Sequence, residues 1–344
     1  MTLLNDNRRT QVTLALPFRR ILVGVGLLCL LTLNPQAALA DAWPSRPVRF
    51  IVSFPPGNSA DLIARTFGNA LAERLGQAVV IENRGGAGGA IGVEALTKAV
   101  PDGYTFGVSS LSPITIMPAV QKALPYDPIQ GLVPVTLLGK GPLFLLVRKD
   151  STINSIKDLV AQSQANPGKL TYGSLGPGTV SQMSTEVFKA ASGANLTEIS
   201  YKGSNQALTD LIGGHITLML DGAASATVQI HAGTVKALAV TTLKRSTLMP
   251  DILTLSETGI ASLNHFDLSG WIGVFAPLGT PTDIVTRLQT ELSTIGLQPT
   301  VIKQVNTAGL DVPEPNTSAQ FSEFLKQDLA RWTKVATDLK ISVQ

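Results

Sequence analysis

Two stretches of the 344-residue chain join a strand-like run to an amphipathic helix through a break rich in glycine, proline and small hydroxyl residues. IVSFPPGNSADLIARTFGNALAERLG (Ile51 to Gly76) breaks at Pro55-Pro56-Gly57. LTYGSLGPGTVSQMSTEVFKAASG (Leu170 to Gly193) breaks at Gly176-Pro177-Gly178. In open α/β sheets ligands bind where a strand ends and the next helix begins, because unpaired N–H groups and the helix dipole converge there on an anion. The chemistry implied is non-covalent capture of a small carboxylate. Gly57, Asn58 and Ser59 allow close backbone approach and add neutral donors. The plainer reading is a capped turn in which Asp61 stabilises the first helical turn. Two such junctions in different lobes place two helix N-termini across a cleft, which suits an acid with a charged group at each end. One such contact contributes about 0.3 to 2 kcal/mol, so several donors must converge to reach micromolar binding at about −8 kcal/mol.

Other chemistry is poorly supported. His215, His231 and His265 have no metal-ligand spacing and read as surface or turn residues. The run Gly85-Gly86-Ala87-Gly88-Gly89 is not a dinucleotide fingerprint, since Ile91 stands where the third glycine belongs, and no phosphate-loop lysine follows it. It reads as a flexible turn on the cleft rim. Ser174 lacks a nucleophile elbow because Tyr172 occupies the first glycine position. The expectation is therefore a protein with no catalytic residue, no metal and no cofactor. Asp221 ends an apolar strand and either caps the next helix or accepts a hydrogen bond from ligand. Lys202 belongs to a structural turn or counters a second carboxylate. Trp271 either stacks on ligand or packs near a hinge.

The elements that must hold these residues alternate. Strands are expected at Arg49 to Phe54, Ala78 to Glu82, Thr105 to Ser109, Val133 to Leu138, Phe144 to Val147, Leu170 to Ser174, Glu198 to Tyr201, Thr217 to Leu220, Lys236 to Thr241 and Trp271 to Phe275. Helical patterns fill the gaps, which argues for an α/β fold with mainly parallel sheets. Ile63, Phe67, Ala70 and Leu71 form the buried stripe of the first helix, and Gly76 ends it. Met183, Val187, Ala190 and Ala191 are the expected stripe of the second. Thr280 to Asp283 reads as a helix start with proline at the first helical position. Phe144 to Val147 and Trp271 to Phe275 are the candidates for strands that cross between two lobes.

Residues 1–40 carry four arginines, the apolar run Ile21 to Leu33 and then Ala38-Leu39-Ala40, the pattern of a cleaved secretory signal. The apolar run is about 13 residues, short of the roughly 20 that a membrane span needs. Cys29, the one cysteine, lies inside this segment behind Leu28, so the mature chain has no disulfide and no thiolate chemistry. The segment also holds four of the 27 basic and one of the 24 acidic residues, which leaves the remainder balanced and gives no argument for nucleic acid.

The segments WPSRPVRFIVSFPPGNSAD, ENRGGAGGAIGVEALTKAVPDGYTFGVSS, LPYDP, PGKLTYGSLGPGT, YKGSNQALTDLIGGHITLMLD, LAVTTLKRS and FAPLGTP, in this order, resemble the Bug family of periplasmic solute-binding receptors, which serve tripartite tricarboxylate transporters. The resemblance implies a type II periplasmic-binding-protein-like fold with two α/β lobes: residues 41–146 and 270–344 in lobe 1, and 147–269 in lobe 2. It implies a monomeric receptor in the periplasm that closes on a mono- or dicarboxylate and hands it to membrane permease subunits. It also implies contacts from Phe54, Pro56, Gly57, Asn58, Ser59 and Asp61 in the first loop and from Ser174, Gly176, Gly178 and Thr179 in the second, with Ser109, Ser110 and Asp221 nearby. The chain departs from the family pattern at Asn58, Ser59 and Ala60, where a glycine run and a hydroxyl residue are usual, and at Gln182, where a histidine is common. Ligand identity does not carry over. A periplasmic sensor that signals to a membrane kinase is the alternative role for the same closing fold.

Overall fold

The computed structural model describes residues 43–341. Residues from Pro44 onward form one structural unit, and the expected signal segment, Cys29 included, lies outside the described residues. The strands are β1 (Val48–Val52), β2 (Val79–Asn83), β3 (Thr105–Ser110), β4 (Leu132–Arg148), β5 (Thr171–Ser174), β6 (Thr197–Ser200), β7 (Leu218–Gly222), β8 (Val235–Val240) and β9 (Ser269–Pro277). The α-helices are α1 (Ser59–Leu75), α2 (Ala90–Thr97), α3 (Met117–Val120), α4 (Ile156–Ala165), α5 (Val180–Ser192), α6 (Ser204–Gly213), α7 (Ala223–His231), α8 (Thr282–Gly296), α9 (Pro299–Thr307) and α10 (Ser318–Asp338).

Parallel pairing, the consequence of βα alternation, unites β2-β1-β3 in one half of the sheet and β7-β5-β6 in the other. The strands that join the halves run antiparallel, so the sheet as a whole is mixed. β9 inserts between β3 and β4, and β7 and β8 flank the second part of β4. The two runs expected at Val133 to Leu138 and Phe144 to Val147 are one long strand. Its first part, through Pro142, pairs with β9, and Leu143 to Val147 pairs with β7. Alternate β4 residues serve opposite cores, since Leu143, Leu145 and Val147 pack with Tyr172 and Phe188 while Phe144 and Leu146 pack with Leu211 and Met219.

Thr241 stitches the place where the chain passes between halves. Its hydroxyl accepts from the Leu143 N–H at 2.9 Å and donates to the Leu268 carbonyl at 2.6 Å. Its backbone N–H reaches the Leu143 carbonyl, and its carbonyl takes the Leu268 N–H. On the other side of β9, Asp328 of α10 accepts from Trp271 Nε1 at 3.0 Å and from the Thr115 hydroxyl at 2.7 Å. Thr115 lies in a π-helical turn (Ser112–Ile116), so α10 fixes β9 and that turn together.

Helix α1 buries Ile63, Phe67 and Leu71 as expected and ends at Gly76 in the left-handed region. In helix α5, Met183 is buried and Val187 and Ala191 pack against the core as expected, Phe188 joins them, and Ala190 is exposed. Helix α8 starts at Thr282 rather than at Pro281, whose ψ of 134° is extended, and the Thr280 hydroxyl bonds the Pro277 carbonyl.

Thr241→Val removes a donor and an acceptor from a fully buried site and leaves the Leu143 N–H and Leu268 carbonyl unpaired. Each orphan costs about 1 to 3 kcal/mol, so urea unfolding should show a loss of about 2 to 6 kcal/mol. Thr241→Ser, which keeps the hydroxyl, should lose about 1 kcal/mol or less.

Candidate functional site

The loop after β1 is folded by its own polar side chains. Asn58 Oδ1 accepts from the Ala60 N–H at 2.9 Å and so caps α1. Asp61, 2% exposed, accepts from the Gly57 N–H at 2.9 Å and from Asn83 Nδ2 at 2.9 Å, and it pairs with Arg65. Asn83 also donates to the Phe54 carbonyl. Burial works to raise the Asp61 carboxyl, but the hydrogen bonds from Arg65, Gly57 and Asn83 prevail and hold it below the usual carboxylate range. Asp61 thus shapes the loop as a carboxylate turned to its own backbone.

The loop after β5 is braced in the same manner. Ser174 bonds Glu198 and takes the Gly176 N–H. The Gly178 N–H goes to Gln182 Oε1 at 2.8 Å, and Gln182 Nε2 reaches Glu198 at 3.2 Å. The Thr179 hydroxyl bonds the Gly176 carbonyl. Across the cleft, Ser112 Oγ accepts from the Val180 N–H at 3.0 Å.

These loops border a cavity of about 380 Å³. Of the residues singled out in sequence, Phe54, Pro56, Gly57, Asn58, Ser59, Ser110, Thr179 and Asp221 line it, as do Lys202 and Trp271. Asp61, Ser109, Ser174, Gly176 and Gly178 are not part of the wall. Their polar groups are committed to the loops behind it, Ser109 by the Ser53 hydroxyl at 2.8 Å and the others as described. The glycine run does reach the wall through Gly86, Gly88 and Gly89, for a packing reason. A Cβ on Gly88 would meet Met117 Cε at 2.2 Å and Thr179 Cγ2 at 3.0 Å.

Four helices open onto this space. Besides α1 and α5, the first residues of α6 (Ser204, Asn205, Gln206) and of α7 (Ala223, Ser225) line the cavity, and no side chain caps either helix. Their first-turn N–H groups, which a helix cannot satisfy internally, therefore look for partners in the cavity region. The sequence reading expected a helix after Asp221 but did not bring the starts of α6 and α7 to the site, because Gly203 and Gly222 stand where a capping side chain would signal a start. The signal that could have found them is the direct step from the β7 run into Gly222 and a helix, the same strand-to-helix junction as elsewhere. Asp221 does not cap α7. Its Oδ1 accepts from the Ser204 hydroxyl at 2.8 Å and its Oδ2 from the Ser225 hydroxyl, so it ties the starts of α6 and α7 together. Lys202 is exposed and has no ion pair among the described residues, and it and Asp221 are the two charged side chains on the wall. Trp271, 2% exposed, is edge-on to Phe321 and Phe324 at 5.8 Å, which makes packing its main role.

The profile described as the tripartite tricarboxylate transporter family receptor matches residues 63–341. The chain belongs to that family. BugT of Bordetella pertussis is 33% identical to this receptor over 320 residues, which cover 93% of this chain and 97% of BugT. The periplasmic binding protein BugD superposes with a TM-score of 0.81 at 32% identity, covering 88% of this chain and 100% of BugD. An R. palustris protein solved with adipate superposes with a TM-score of 0.83 at 32% identity, covering 87% of this chain and 99% of that one. The fold is that of the periplasmic binding proteins, and the chain is a solute-binding receptor. In this receptor no helix among the described residues is long and apolar enough to cross a membrane. No cluster among them of three or more His, Cys, Asp or Glu could hold a metal ion. The three histidines are exposed.

Burial raises the Asp221 carboxyl above its ordinary 3.8, against the lowering effect of the Ser225, Ser204 and Gly222 hydrogen bonds. The folded receptor therefore holds this proton more tightly than the unfolded chain does. The associated stability is fully present below the ordinary value and is lost as pH rises through the folded one. Asp221→Asn has no charge to bury and keeps partners for both serines. Its thermal midpoint relative to wild type should rise as the pH climbs above about 4, a trend that differential scanning calorimetry at a series of pH values will measure.

Proposed function

We propose that this receptor works in the periplasm, where it captures a small dicarboxylate in the described cavity and delivers it to the membrane subunits of a tripartite transporter. The observation that carries this reading is the convergence of four helix N-termini on one cavity whose single wall cation among the described residues is Lys202. Each N-terminus presents roughly half a positive charge, and the uncapped starts of α6 and α7 offer backbone donors. One carboxylate suits those donors, and Lys202 suits a second. The adipate-bound relative, a complex with a six-carbon diacid, supports the same class.

Closure supplies the mechanism. Residues 41–146 and 270–344 act as one lobe and 147–269 as the other, with the Thr241 seam as hinge. The first lobe contributes Phe54 to Ser59 and Ser110 to the wall, and the second contributes Thr179, Lys202, Ser204 and Asp221. A ligand that touches both gains contacts only when the lobes meet, and that differential affinity shifts the population toward the closed form. A shift from 1:99 to 99:1 needs about 5.5 kcal/mol of preference, within reach of several charge-assisted hydrogen bonds. The receptor acts as a monomer.

A thermal-shift screen of mono- and dicarboxylates tests the reading. A bound diacid at 100 times its Kd should stabilise the protein by about 2.7 kcal/mol and reduce its radius of gyration in solution scattering. Lys202→Ala should weaken the best diacid by about tenfold, roughly one lost charge-assisted contact, and leave the monoacid of the same length within about twofold. Stabilisation by neutral solutes and by no acid would overturn the proposal.

A further inference from the structure

Asp221 is a buried carboxyl in the wall of a site suited to anions. It is 3% exposed, it borders the cavity, and its two oxygens accept from two neutral hydroxyls, Ser204 and Ser225. It forms no ion pair with a cation among the described residues. An ionised carboxylate offers about four lone-pair sites, so the two serines and the Gly222 backbone do not fill its capacity, and Asp221 lines the cavity. The same wall carries donors: the uncapped first turns of α6 and α7, and Lys202. A plain carboxylate satisfies those donors but brings a second negative charge toward Asp221 and gives it no proton to accept. Like charges brought together without a donor between them repel strongly in a buried site.

A hydroxyl or ammonium group on the ligand resolves both problems, since it places a donor between the two carboxylates. Resting on the carboxylate-receptor reading above, we infer that Asp221 makes the cavity selective for hydroxy or amino acids over unsubstituted acids of equal length. A buried polar group left unpaired by the wrong ligand is a strong discriminator. The expected preference is about 100-fold.

Calorimetric titrations with two matched sets test this: succinate against malate and aspartate, and adipate against 2-aminoadipate. In wild type at neutral pH the donor-bearing acid of at least one set should bind about 100-fold more tightly than its unsubstituted partner. Asp221→Asn, which keeps the shape and removes the charge, should shrink the ratio, and Asp221→Ala, which removes the acceptor, should bring it within about threefold. The change should come from weaker binding of the donor-bearing acid together with tighter binding of the unsubstituted acid, which no longer meets a like charge. Equal binding within both sets in wild type would overturn the inference and leave the carboxylate reading intact, as would a preference that survives Asp221→Ala. It also falls if the unsubstituted acid tightens at lower pH until it matches its partner, since Asp221 would then be taking up a proton and not reading a ligand donor. Failure of every acid in both sets, with binding of neutral solutes, would remove both readings. The wild-type comparison stands by itself should either variant fail to fold.

Discussion

Two segments pass between the halves of the sheet, one in β4 at Leu143 and the other just ahead of β9 at Leu268, and the Thr241 hydroxyl accepts from the first and donates to the second. Backbone groups at such a crossing cannot all join a regular ladder, because the strand changes partners there from β9 to β7 and β8. A buried N–H or carbonyl without a partner is costly, so a side chain with one donor and one acceptor at this point permits the exchange without orphaned groups. Gly141, Pro142 and Leu143 on one segment and Gly270 and Trp271 on the other themselves line the cavity.

From that junction outward, the site is a product of strand ends. β1, β5 and β7 each stop at the cavity and hand over to a helix, or to a loop leading into one, whose first turn faces inward. The polar side chains divide into two groups by what they touch. Asp61, Asn83, Ser174, Gln182 and Glu198 spend their hydrogen bonds on loop backbone and on each other, which holds the loops in shape. The groups left facing the cavity are backbone amides at helix starts, a few hydroxyls, Lys202 and Asp221. Recognition by backbone amides depends on loop geometry more than on side-chain identity, which explains how a site can keep its ligand class while Asn58, Ser59 and Gln182 replace other residues.

The positions of the strands were legible because apolar β-branched runs between turn residues leave little alternative. The one misreading came at Gly139 to Pro142, whose composition signals a turn. In the structure these residues continue β4 because other parts of the chain press close against them. A Cβ on Gly141 would stand 2.8 Å from the Gly309 carbonyl, and one on Gly139 would stand 3.2 Å from Leu310 Cδ1. Glycine there answers a tertiary demand that a local reading cannot see. The stripe of α5 widened to take in Phe188 beside Met183, Val187 and Ala191, since a ring that finds core space is buried even next to the expected face. At the site, the two loop-to-helix junctions with glycine and proline were visible. Which loop residues face the cavity was not, because Asp61 and Gly178 owe their inward bonds to Asn83 and Gln182, partners supplied by folding.

The place of β9 carries a consequence for how the chain comes together in time. β3 and β4 follow one another in sequence, yet they do not pair, and β9 fills the gap between them. A chain emerging from its N-terminus makes β1 to β4 early and then must wait through the whole of β5 to β8 before the missing strand appears. Until then β3 and the first part of β4 present open edges, the kind of surface that seeks strands from neighbouring molecules. Contacts this distant in sequence form late, because the connecting loop must close first. The half of the molecule begun first is therefore the half completed last.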